Sequence, residues 1–119
     1  MLAARRLLIV DDEPAVLDLL KRYLERLGYV VETTPSGEAA LQLFEATPER
    51  YDLVITDLNL PGIGGEELLK QMRRRRPTQL ALISSGYPHQ PILPGVGFLL
   101  KPYLPKMIAE AINQMLQNR

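Results

Sequence analysis

Carboxylates, hydroxyls and a lysine recur just beyond the short apolar runs of this chain. Asp11, Asp12 and Glu13 follow Leu7 to Val10, Asp57 follows Leu53 to Ile55, Ser84 and Ser85 follow Leu80 to Ile83, and Lys101 follows Phe98 to Leu100. If each run is a strand of one open α/β sheet, these side chains gather outside its carboxyl end, where ligands of such sheets bind. Asp11, Asp12 and Asp57 would then be crowded carboxylates that repel one another unless a cation sits among them. With oxygen donors only and no His or Cys nearby, the natural cation is Mg²⁺, held by a couple of carboxylates and completed by water and a phosphoryl oxygen. Lys101 adds a movable positive charge and Ser85 a hydroxyl donor. A phosphoryl group on Asp57 would be gripped by metal, ammonium and hydroxyl together. Taken singly, an Asp-Asp pair after a strand suits a helix cap and a Lys-Pro suits a turn. The succession of acid pair, acid, hydroxyl and lysine at consecutive strand ends is what argues for phosphoryl transfer.

The elements that must position these residues are legible as two alternating patterns. Leu7 to Val10, Val30-Val31, Leu53 to Ile55, Leu80 to Ile83 and Phe98 to Leu100 read as buried strands. Between them lie helical patterns. Leu17, Leu20, Leu24 and Leu27 repeat behind Pro14, and Gly28 stops that helix. Ser36 caps a second helix that carries Ala40, Leu43 and Phe44 inward and ends before Pro48. A third follows Gly64-Gly65, buries Leu68, Leu69 and Met72, and stops at Pro77. The last places Leu104, Met107, Ile108, Ala111, Ile112, Met115 and Leu116 on one stripe, opposite Lys106, Glu110, Asn113 and Gln117. Alternating strand and helix predict a doubly wound parallel sheet covered on both faces.

Composition sets the outer bounds. The 119 residues, 46% hydrophobic and 24% charged, suit one domain, 1–119, large enough to fold without disulfides or a structural metal. Zero cysteines fit a reducing compartment and exclude thiolate chemistry. Leu7 to Val10 is too short for a signal core or a membrane span, so the expectation is a cytoplasmic protein with no membrane partner. Fourteen basic residues balance fourteen acidic ones, and no global field points to nucleic acid.

The motifs Leu8-Ile9-Val10-Asp11-Asp12-Glu13-Pro14, Asp52-Leu53-Val54-Ile55-Thr56-Asp57, Leu60-Pro61-Gly62, Ser85-Gly86-Tyr87 and Phe98-Leu99-Leu100-Lys101-Pro102 stand in the order of a known set of signature blocks. On these the chain resembles the bacterial response-regulator receiver family over nearly its whole length. The resemblance implies a five-stranded flavodoxin-like fold with strand order 2-1-3-4-5. It implies that Asp57 accepts phosphate from a histidine kinase or histidine phosphotransfer domain, and that Asp11, Asp12 and Asp57 hold Mg²⁺ with the Asn59 backbone carbonyl. It also implies that Ser85 bonds the phosphoryl group on activation while Phe98 reorients. Ser85 stands where threonine is commoner, and Phe98 lacks the hydroxyl of the tyrosine often found there. Such a domain is a switch that catalyses only its own phosphotransfer and dephosphorylation, not an enzyme acting on a metabolite. The alternative is a pseudo-receiver that binds proteins without phosphate, but it would be expected to have lost Asp57, the acid pair or Lys101. The length suits either a whole gene product or a domain of a longer chain.

The segment Tyr87 to Gly97 departs from the family. Its eleven residues carry Pro88, Pro91 and Pro94 together with Gly95 and Gly97, which break or disfavour a helix. At roughly 3.1 Å per residue an extended run reaches about 34 Å, enough to recross the sheet. Four regular helices are therefore expected, with the fourth crossover a loop or at most one turn. In receivers that drive DNA-binding domains, the fourth helix, last strand and last helix commonly form the pairing face. A chain without that helix is expected to be monomeric or weakly dimeric and to serve a hybrid sensor kinase, which the Ser85-Gly86-Tyr87 block also suggests. Arg73 to Arg76 read as a solvated helix end rather than a nucleic-acid contact, and His89 as an exposed loop residue. Leu60 to Gly65 is glycine-rich without the lysine of a phosphate-binding loop, and reads as a flexible loop flanking the acceptor.

Overall fold

In the computed structural model, which describes residues 4–117, the apolar runs become β1 (Arg6–Val10), β2 (Val30–Thr34), β3 (Leu53–Asp57), β4 (Ala81–Ser85) and β5 (Val96–Leu100). The two ends of the expected domain, 1–3 and 118–119, lie outside the described residues. All strand pairs are parallel and the order is β2-β1-β3-β4-β5, as expected. All five strands extend past the predicted runs, β2, β3 and β4 at their carboxyl ends and β1 and β5 at their starts. Thr33, Thr34, Thr56, Asp57, Ser84 and Ser85 are polar, so a reading by apolar content stops short of them. Asp57 and Ser84 are consequently not beyond the sheet but paired in its last register row.

Alternation along the strands divides the core. Leu7, Ile9, Leu53, Ile55 and Leu82 meet Leu17, Leu20 and Leu24 of α1 (Pro14–Arg26) and Ile108, Ile112 and Leu116 of α4 (Pro105–Gln117). Leu8, Val10, Val54, Ala81 and Ile83 meet Ala40 and Phe44 of α2 (Gly37–Ala46) and Leu68, Leu69 and Met72 of α3 (Gly65–Arg75). The period of two in a strand sends successive side chains to opposite faces, so one sheet holds two helical layers. Pro14 opens α1, Ser36 Oγ accepts from Ala39 N–H at 3.1 Å at the start of α2, and Gly28 takes a φ of +99° after α1, a conformation other residues rarely adopt.

Four expected inward residues do not point to the core. Leu43 is exposed because the buried stripe of α2 runs through Gly37, Ala40 and Phe44 and leaves Leu43 on its flank. Leu104 precedes α4 rather than lying on it, and Met107 sits to one side of the Ile108, Ile112, Leu116 row; both are exposed. Leu27, expected on the apolar face of α1, lies at its end and is exposed as well.

Between β4 and β5 no helix forms; residues 86–95 cross as an irregular segment. Leu93 packs onto the α2–α3 core layer, where a helix would otherwise supply several apolar side chains. Arg73 Nε donates to the Gln79 carbonyl at 3.2 Å and its Nη1 to the Pro94 carbonyl, while Arg76 Nη1 donates to the Tyr51 carbonyl at 2.9 Å. Two members of the basic run thus hold backbone together instead of facing solvent as expected, and burial lowers the Arg73 pKa.

Candidate functional site

The carboxyl end of β1 delivers Asp11, and the residue after it, Asp12, starts the turn into α1. Asp11 is buried, and its Oδ1 accepts from the Glu13 N–H at 2.9 Å. Asp11 thus shapes the turn that leads into α1 without capping the helix, whose N-cap is Glu13, and Oδ2 is left for other work. Asp57, the last residue of β3, is 9% exposed. One carboxylate oxygen from each of Asp11, Asp12 and Asp57 lies within 4.8 Å of the others. Lys101, immediately after β5, reaches back across the sheet end: its Nζ donates to Asp57 Oδ2 at 3.0 Å and to Asp11 Oδ2 at 3.2 Å. The backbone holds that lysine in place, because Lys101 N–H donates to the Ser85 carbonyl at 2.7 Å.

Burial pushes the Asp57 pKa up, the Lys101 contact pulls it down, and the neighbouring Asp11 and Asp12 charges push it up again; the outcome is a raised value. For Lys101 burial opposes the charge, but the Asp57 and Asp11 carboxylates outweigh it and its pKa is raised too. Three carboxylates facing a single ammonium remain short of positive charge. The donor set is all oxygen and partly shielded from water, which fits a hard divalent cation of the Mg²⁺ type.

Ser85 is buried at the end of β4, and its Oγ accepts from the Tyr87 N–H at 3.1 Å. Phe98, half-buried on β5, stands opposite Ile83 in register. Asn59 follows Asp57 by two residues on the exposed β3–α3 loop. Two hydrogen bonds anchor that loop, which reads as flexible in the sequence: Glu38 Oε2 accepts from Ile63 N–H at 3.1 Å, and Gly65 N–H donates to the Leu58 carbonyl at 2.9 Å. Asp11, Asp12, Asp57, Asn59, Ser85 and Lys101 thus lie at the carboxyl-end rim, while Phe98 stands in the middle of β5, two residues before its end.

Sequence reasoning missed two features. An open, mainly apolar groove of about 490 Å³ runs beside Lys101, lined by Val16, Leu19 and Leu20 of α1 and by Pro102, Tyr103 and Pro105 after β5. Leu19 is 55% exposed on the outer face of α1; an apolar residue off the buried stripe was its signal. Burial pushes the Tyr103 phenol up to about 12. The second feature is His89, expected to be an exposed loop residue. It is partly buried, its Nε2 lies 2.6 Å from Glu66 Oε2, and its ring stands 6.3 Å from that of Phe98. Nothing local in the sequence marks a contact between residues 23 positions apart.

No helix among the described residues is long and apolar enough to cross a membrane. The chain is 33% identical over 118 residues to sensor kinase CckA of Brucella abortus, spanning 94% of this chain and 12% of that protein. It is 26% identical over 117 residues to the transcriptional regulatory protein ResD of Bacillus subtilis, spanning 94% and 48%. It therefore spans half or less of these curated relatives. Among solved structures, the receiver domain from hybrid histidine kinase CckA is 40% identical, with a TM-score of 0.85 and coverage of 93% of this chain and 98% of that one. The response regulator TrrA from Thermotoga maritima, solved in complex with Mg²⁺-BeF, is 30% identical, with a TM-score of 0.80 and coverage of 93% and 98%. The profile described as response regulator receiver domain matches residues 7–113, and with the strand order and the carboxylate rim it places this chain in the receiver-domain family of two-component systems.

Proposed function

We propose that the chain is a phosphoacceptor switch in a two-component phosphorelay, taking a phosphoryl group onto Asp57 from the phosphohistidine of a histidine kinase or histidine phosphotransfer domain. The observation that carries this reading is the placement of Asp57 at the end of the central β3, with Lys101 Nζ 3.0 Å away and two further carboxylates beside it. In the transfer an Asp57 oxygen forms the new P–O bond as the P–N bond of the donor breaks, and the electron pair of that bond stays on the imidazole nitrogen. Asp11, Asp12 and Asp57, with the Asn59 backbone carbonyl, would hold Mg²⁺, which when bound neutralises charge on the phosphoryl oxygens. Lys101 is the side chain able to pass from the Asp57 carboxylate to a phosphoryl oxygen. Ser85 lies on the neighbouring strand end to donate its hydroxyl. The apolar groove beside Lys101, with Leu19 and Leu104 exposed, gives a donor helix a place to rest while its histidine approaches Asp57.

Asn59, two residues after Asp57, is a poor general base for releasing product, which favours a domain that catalyses its own phosphorylation and dephosphorylation over a hydrolase of an external substrate. The likeness to the CckA receiver and the absence of a helix between β4 and β5 favour a role attached to, or exchanging phosphate with, a hybrid kinase. Incubation with acetyl phosphate and Mg²⁺ tests the reading. The expected result is labelling that stops near one phosphate per chain and is abolished by Asp57→Asn. Sustained phosphate release would mark a hydrolase, and no labelling at all a pseudo-receiver.

A further inference from the structure

The segment 86–95 replaces a helix, and its attachments differ at its two ends. At the far end Arg73 binds the Pro94 carbonyl and the Gln79 carbonyl together. At the near end the hydrogen-bonded attachment to α3 is a single carboxylate. Glu66 Oε2, in the first turn of α3, takes both His89 Nε2 at 2.6 Å and the Ile92 N–H at 2.9 Å. The other oxygen, Oε1, is buried with no hydrogen-bond partner. A carboxylate that uses one oxygen twice while the second goes unpaired in a buried place forfeits part of its own stabilisation. Opening the near end returns that unpaired oxygen to water, which offsets part of the loss of the His89 and Ile92 contacts.

This contact is wired to the acceptor site. Ser85 Oγ, at the rim, holds the Tyr87 N–H, the first amide past Gly86. His89, two residues on, leans against Phe98 on β5, and β5 runs straight into Lys101, which grips Asp57. A displacement of Ser85 and Lys101 toward a group on Asp57 acts on Tyr87 from one side and on Phe98 from the other. Both displacements bear on His89. Gly86 has open space around it and Gly95 a φ of +74°, so the segment has a pivot at each end.

We propose that the His89–Glu66 contact is a latch, closed in the unphosphorylated domain and released when Asp57 carries a phosphoryl group, so that the segment 86–92 swings from α3 about an end fixed by the Leu93 packing and the Arg73 clamp. Release parts the walls of the groove of about 290 Å³ between α3 and the segment, drawing Ile92 away from Glu66, Glu67 and Lys70 and baring that part of α3. In a chain without a helix at this crossover, the latch takes over the task of reporting the state of Asp57 to the surface. The inference rests on the phosphoacceptor role of Asp57 proposed above. Glu66 and His89 are positioning residues, remote from the reacting atoms.

Amide exchange followed by NMR, in Mg²⁺ alone and in Mg²⁺ with beryllofluoride as the phosphoryl mimic, tests the latch. With beryllofluoride the Ile92 amide is expected to exchange about tenfold faster, the size set by loss of one charge-assisted hydrogen bond. In Glu66→Ala that amide exchanges fast in both conditions, while labelling of Asp57 by acetyl phosphate persists. In Glu66→Gln, which keeps an acceptor, the response to beryllofluoride survives at reduced size. If the amides around Asp57 and Lys101 respond to beryllofluoride and Ile92 keeps its protection, the latch is refuted and the phosphoacceptor role stands. If no amide responds anywhere, the phosphoacceptor role fails and the latch falls with it.

Discussion

Asp57 sits where its own charge is disfavoured, since burial and the Asp11 and Asp12 carboxylates outweigh the help of Lys101. Removing that charge should relieve the fold. At pH 7 without Mg²⁺, Asp57→Asn is expected to raise the urea midpoint, by about 1 kcal/mol in stability, a common size for one substitution. Adding Mg²⁺ should stabilise the wild type far more than the variant and narrow the gap, because a ligand that binds only the folded state adds stability by mass action. A lower midpoint for the variant in metal-free buffer would mean that the Lys101 contact outweighs the repulsion. Tyr103 offers a pH test away from the carboxylates. Its folded pKa of about 12 lies above the ordinary value of 10.0, so the folded state holds the phenolic proton more tightly than the unfolded chain does. The resulting stability is fully present below about pH 10 and is lost as pH rises through 12. Tyr103→Phe should flatten that part of a plot of urea midpoint against pH, and an unchanged slope would contradict the burial of the phenol.

The helices serve the site through close approaches of backbone as much as through their apolar stripes. A Cβ on Gly65, the first residue of α3, would stand 2.5 Å from the Asp57 carbonyl oxygen and 3.1 Å from Leu58 Cα. Both neighbours are backbone and cannot step aside. Gly65→Ala is therefore expected to cost about 1–3 kcal/mol in a urea titration despite the better helix propensity of alanine, and to slow acetyl phosphate labelling by displacing Asp57. Gly86→Ala, with nothing within 4 Å of the added Cβ, should stay within about 0.5 kcal/mol of wild type. Equal costs at the two glycines would refute this reading of α3. The sequence made the elements legible because each carries a period or a stop: Pro14, Ser36 and Gly28 act within a few residues of where they stand. It also exposed the rim, since Asp11, Asp57, Ser85 and Lys101 each end a strand. What stayed hidden depends on distant partners. The polar ends of β3 and β4 are strand only because neighbouring strands pair with them, and the inward turn of Arg73, Arg76 and His89 is set by carbonyls and a carboxylate that reach them through the fold.

At the scale of the whole molecule, the sheet ends at β5, and what flanks that strand decides which surfaces are available for pairing. In receivers that drive DNA-binding domains, the pairing face is built from the fourth helix, last strand and last helix. Here the first of those three is the segment 86–95, whose Pro88 and Pro94 are exposed and whose Tyr87 and Ile92 are 77% and 79% exposed. An irregular run presents no helical ridge for a second copy to pack into. What remains of the face is Leu100, Leu104 and Met107, a small area compared with the roughly 1,200 Å² that a stable specific interface buries. Phosphorylation should therefore leave this chain a monomer of 13.4 kDa. Sedimentation at tens of micromolar, with Mg²⁺ and with or without beryllofluoride, is expected to give one unchanged species. A shift to dimer only with beryllofluoride, reversed by a charged residue at Leu104, would show that the last strand and helix suffice for pairing. It would also remove the structural argument for preferring a kinase-linked role over a transcriptional one.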